Sequence, residues 1–133
     1  MQVNRQKEIR EKGVKVLIIA AHGSRKKKSN LEVATLAERV SKKAKGSFEE
    51  VGHAFLQLAD PLLEKKINEL VKKGATKIVI FPFFIGSGNH ILVDIPELVK
   101  KAQSAYPKVD FKLTRHLGKI EAIEDVIIHE VMA

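Results

Sequence analysis

The chain has 133 residues, 44% apolar and 30% charged, and 24 Lys and Arg against 16 Asp and Glu give it a formal net charge of +8. This balance excludes a disordered segment, and the length suits one globular domain over residues 1–133 with a core of its own. No cysteine occurs, which excludes disulfides, iron–sulfur clusters and thiolate metal sites and fits a reducing compartment.

Residues 1–13, MQVNRQKEIREKG, read as a charged extension without the apolar stretch of a signal peptide. No apolar run approaches the roughly 20 residues that span a bilayer, so a soluble, cytoplasmic protein with no membrane partner is expected. Residues 14–20 form an apolar run of strand length. Residues 31–40 follow with helical spacing at Leu31, Ala34, Leu36, Ala37 and Val40, and Gly46 stops that helix. Residues 51–58 read as a second strand. Asp60 and Pro61 open a helix carrying Leu62, Leu63, Ile67, Leu70 and Val71, which Gly74 closes. Residues 77–85 are a third strand, Pro96 starts a helix through about residue 105, residues 109–114 are a short fourth strand, and residues 122–131 a last helix. Strand–helix alternation with unbroken apolar strands predicts a three-layer α/β/α fold around a four-stranded parallel sheet, in the flavodoxin-like order 2-1-3-4.

The positive charge makes nucleic acid the first partner to consider. However, the basic residues are mostly scattered, only RKKK at 25–28 is a tight run, and the six Phe mostly sit within apolar runs rather than beside basic clusters. No base-stacking surface is expected, and RKKK reads as a solvated turn. A basic field equally suits a polyanionic small molecule.

Ligands of such sheets sit beyond the carboxyl ends of the strands, where neighbouring crossovers leave on opposite faces. Strands 1 and 3 meet there, about 4.8 Å apart. His22 follows the first and His90 the third, so both imidazoles can reach one point. Ile85, Gly86, Ser87, Gly88 and Asn89 lead to His90, and the glycines leave room for something large and flat against the backbone. Two histidines facing an open cleft suit a borderline divalent ion, and two ligands are too few for a structural site. Asp94, four residues after His90, either orients that imidazole or caps the helix at Pro96. Asp60 reads as an N-cap that could also touch substrate. His53 packs within the second strand or faces solvent. His116 and His129 lack a Gly/Ser setting and are not ranked as ligands.

Three motifs, AAHGSR at 20–25, AFLQLADPLL at 54–63 and FIGSGNHILVDIP at 84–96, resemble in order and spacing those of the short sirohydrochlorin cobaltochelatases. The resemblance implies the chelatase fold and insertion of a divalent metal into sirohydrochlorin, with Co²⁺ first and Ni²⁺ or Fe²⁺ as alternatives. The metal would be a substrate, with no organic cofactor. It implies His22 and His90 as the metal-contacting pair, and His22 as the acceptor of pyrrole protons. Ser24, Arg25, Asp60 and residues 85–89 would line the substrate, a polycarboxylate suited to a basic chain. Gln57 stands where many relatives carry Glu, so no proton relay is assigned there. RHLGKIEA at 115–122 matches only loosely.

A homodimer is expected, since longer chelatases enclose the macrocycle between two half-domains. Val126, Ile127 and Val131, or Ile91 and Leu92, would form the contact or else cover the sheet. Two other readings use the same residues: a non-catalytic metal or tetrapyrrole carrier, and a phosphatase-like enzyme with His22 as nucleophile. The second gives no reason for the histidine loop after the third strand. A nucleic-acid-binding module ranks third, without a reading helix or aromatic platform.

Overall fold

A computed structural model describes residues 13–86 and 88–133, and only the backbone of residues 89–92. The elements in chain order are β1 (Lys15–Ala21), α1 (Lys27–Lys43), β2 (Glu50–Phe55), α2 (Leu63–Lys72), β3 (Lys77–Pro82), α3 (Asn89–Ala105), β4 (Asp110–Leu113), a single 3-10 turn (Leu117–Lys119) and α4 (Ala122–Met132). The strands form one parallel sheet in the order β2-β1-β3-β4, the expected architecture. Ala21 pairs with Phe55 and Ala20 with Pro82, so β1, β2 and β3 finish almost level at their carboxyl ends.

Alternation along β1 divides its side chains between the two faces of the sheet. Val16, Ile18 and Ala20 join Ile78 and Ile80 of β3 in a core closed by Leu63, Ile67 and Leu70 of α2, with Leu98, Val99 and Ala102 of α3 packed against it. Ile19 and Ala21 therefore face the other way, where α1 packs on β1 and β2 and buries Ala37. The helix α4 is different, because none of its residues is buried. It does not cover the sheet, which corrects one of the two expectations for its apolar residues.

Several expected boundaries move. The second helix begins at Leu63 rather than Asp60, and Leu62, not Asp60, is its N-cap. The Phe55 amide donates to the Pro61 carbonyl, and Phe55 bridges Leu62, so pairing keeps the chain extended past the proline. The first helix starts earlier than expected, at Lys27, because the Asn30 side chain clasps the Ser24 peptide, accepting from its N–H and donating to its carbonyl. RKKK is thus not a free turn, since Lys27 and Lys28 belong to the first turn of α1. The largest change is in α3. It starts at Asn89 with Gly88 as N-cap and carries Pro96 inside it rather than at its head. Pro96 forgoes one main-chain hydrogen bond there, and burial of the preceding Ile95 holds the helix in place. Asp94 is therefore not a helix cap. Among the described residues no helix is long and apolar enough to cross a membrane.

Candidate functional site

His22 is the first residue beyond β1, and the level ends of three strands set its surroundings. The Leu56 amide donates to the Ala21 carbonyl (3.0 Å), that of Gln57 to the His22 carbonyl (3.1 Å) and that of Phe83 to the Ala20 carbonyl (2.7 Å). The backbone of His22 is thus held between the chains leaving β2 and β3. Gly23 then turns the chain away at a φ of +91°, and a Cβ there would run into the Gln57 carbonyl oxygen. Only glycine satisfies both demands. The His22 imidazole lies 5.0 Å from the Phe84 ring, tilted by 48°. It opens on a cleft of about 510 Å³ that Leu56, Gln57, Gly88, Asp94, Ile95 and Leu98 also line.

This cleft brings together His22, Gly88, Gln57 and Asp94, but not every expected residue. Ser24, Arg25 and Asp60 line a neighbouring cleft of about 430 Å³ with His53 and Leu58. The Ser24 hydroxyl oxygen accepts from the Lys26 amide and so serves the entry to α1. Ile85 and Gly86 are exposed beyond β3. Ser87 lies outside the described residues, as do the side chains of Asn89, His90, Ile91 and Leu92. The backbone nevertheless corrects one expectation, because β3 ends at Pro82 and His90 sits in the first turn of α3, not in a loop. Asp94 follows one helical turn later and reaches the cleft.

Sequence reasoning passed over a second set of residues. His116 stacks on Phe84, with ring centres 5.5 Å apart and planes within 21°, so His22, Phe84 and His116 form a cluster centred on Phe84. The 3-10 turn after His116 is docked by the Gly118 amide, which donates to the Phe84 carbonyl. A Cβ at Gly118 would strike the Ile85 carbonyl oxygen. No periodicity marks such a cluster, and the one visible signal is a glycine in a stretch with no turn to explain it. His53, half-buried, meets Phe55 edge-on at 5.5 Å. Burial and, second, the Lys66 charge hold its pKa below the usual 6.5. Lys66 in turn pairs with Glu50 at 3.3 Å.

Residues 16–132 match the model of the CbiX family. The chain belongs to the CbiX family. The match spans β1 through α4 and includes both clefts. Among relatives by sequence, a sirohydrochlorin ferrochelatase of Priestia megaterium is 30% identical over 115 residues, covering 86% of this chain and 42% of that protein. A sirohydrochlorin cobaltochelatase of Methanococcus aeolicus is 33% identical over 86 residues, 65% of this chain and 59% of its own length. The chain thus spans about half the length of the curated relatives it matches. The crystal structure of the sirohydrochlorin chelatase SirB from Bacillus subtilis subspecies spizizenii in complex with cobalt superposes with a TM-score of 0.75 at 30% identity, over 90% of this chain and 50% of that one.

Proposed function

We propose that this CbiX chain inserts a divalent metal into sirohydrochlorin, with Co²⁺ the first candidate and Ni²⁺ or Fe²⁺ the alternatives. The observation that carries the reading is the His22 imidazole on the wall of an open cleft, at the level carboxyl ends of β1, β2 and β3. Relatives named for iron and for cobalt leave the metal to be fixed by measurement.

Insertion removes two protons from the pyrrole nitrogens and strips water from a dication. A neutral imidazole can give its lone pair to the metal or take a departing proton, and His22 is assigned both tasks. His90, in the first turn of α3, is the second metal contact. Asp94 sits one helical turn from it and places a carboxylate at the cleft, where it orients the imidazole or attracts the dication. The flat macrocycle lies along the exposed backbone of Gly86 and Gly88, with Ile85, Ser87 and Asn89 beside them. Arg25 and Ser24 in the adjoining cleft meet a peripheral carboxylate, and the lysines in the first turn of α1 strengthen the positive field there. A second copy of the chain completes the enclosure.

The deciding experiment follows the absorbance of sirohydrochlorin with Co²⁺, Ni²⁺ or Fe²⁺, with and without protein. Insertion accelerated over many turnovers supports the chelatase. Binding that stops at one equivalent of product replaces it with the carrier, and no acceleration with any of the three ions ends it.

A further inference from the structure

The His22 cleft has unlike neighbours on its two sides. On one side it shares Asp94 and Leu98 with a groove of about 480 Å³ between α2 and α3, where Glu64, Asp94 and Glu97 outnumber Lys101. On the other it shares Ile95 with a smaller hollow of about 170 Å³. That hollow is floored by Pro82, Phe84, Ile95, Pro96 and Leu113, and its other walls come from Thr114, Arg115, His116 and Lys119. Among the described residues none of those lining it is acidic, and Arg115 and Lys119 make no ion pair. Phe84, which lines this hollow, links it to the first cleft, since its ring lies 5.0 Å from His22 and 5.5 Å from His116.

We infer that Arg115, His116 and Lys119 form a carboxylate-binding subsite, which seats one acidic arm of the macrocycle when its ring lies against His22. The inference rests on the chelatase reading and adds the direction in which the substrate lies. A polycarboxylate is repelled by the acidic groove and drawn to the basic hollow, so the two sides fix its orientation. The backbone of the subsite is also tied down. The Gly118 amide on the Phe84 carbonyl ties the 3-10 turn to the chain leaving β3, and His116 stacks flat on Phe84. The segment that carries Arg115 and Lys119 is therefore in place without a loop having to be ordered on binding. A guanidinium presents paired N–H donors to a carboxylate, while the ammonium and the imidazole add single donors.

The test is a fluorescence titration of metal-free sirohydrochlorin with the wild-type chain and two double variants of equal charge loss. One is Arg115→Gln with Lys119→Gln. The other, Lys42→Gln with Lys43→Gln, lies in the last turn of α1. The first pair should weaken binding about tenfold and flatten its salt dependence, and the second should change it less than about twofold. Arg115→Lys with Lys119 intact should recover most of the affinity. Equal weakening by both pairs means only long-range attraction and overturns the subsite, as does no weakening by either. A wild-type chain that binds no sirohydrochlorin overturns the chelatase reading itself, and the subsite with it.

Discussion

At the end of β1 the backbone releases an imidazole toward the cleft and turns at once beneath Gln57. The two residues that do this should fail differently. His22→Ala removes a group on an open wall, so metal insertion should fall to a small fraction while unfolding free energy shifts by about 1 kcal/mol or less. Near-normal insertion by that variant would end the assignment of His22. Gly23→Ala leaves the imidazole in place but forces a Cβ at positive φ into a carbonyl oxygen. It should cost about 1–3 kcal/mol in denaturant unfolding, and an unchanged midpoint would show that the loop simply moves aside. His53 supplies the pH-dependent case. Its folded imidazole titrates below 6.5, so as pH falls the unfolded chain takes up that proton first. Its contribution is complete above about pH 6.5 and declines below it. Thermal melting of His53→Gln should vary less between pH 7.5 and 5 than that of the wild type, and identical profiles would remove His53 as a source of acid sensitivity. His22 was legible in the sequence because a histidine after an apolar strand and before a glycine has a local signature. Phe84 and His116 were not, since their stacking exists only once β3 and β4 are neighbours.

Among the elements, α2 shows how periodicity becomes stability. Leu63, Ile67 and Leu70 recur on one helical face, and each is 1% exposed. Leu70→Ala leaves a void between α2 and the sheet, for which a loss of about 2–5 kcal/mol is expected. A loss below 1 kcal/mol would mean that α2 re-seats itself. The same apolar pattern made the strands and their order readable, because a run such as VLIIAA admits little else in an alternating chain. Helix starts were less readable, and for a common reason. Asp60 and Pro96 are good opening residues locally. Pairing of Phe55 with the chain at Pro61 and Leu62, and burial of Ile95, decide otherwise. The consequence for the site is larger than a shift of a few residues, since it moves His90 from a loop onto a helix.

At the scale of the molecule, α4 is the unexplained surface. Val126, Ile127, Ile128, Val131 and Met132 are 55–78% exposed, an apolar stripe that a lone domain would be expected to cover. This supports the proposed homodimer, with α4 in the contact. Sedimentation equilibrium at micromolar concentration should give twice the mass of one chain, and Ile127→Lys should lower it. A monomer that metallates at full rate would sink the shared cleft. The contacts of Phe84 with His22 and His116 also bear on the order in which the protein is made. His22, Phe84 and His116 follow β1, β3 and β4, and β4 is the last strand of the sheet to leave the ribosome. A nascent chain that has finished β3 can already bury Ile18 against Ile80, yet it lacks the turn that braces Phe84. The brace on Phe84 is thus completed only once β4 has emerged, after most of the core can form.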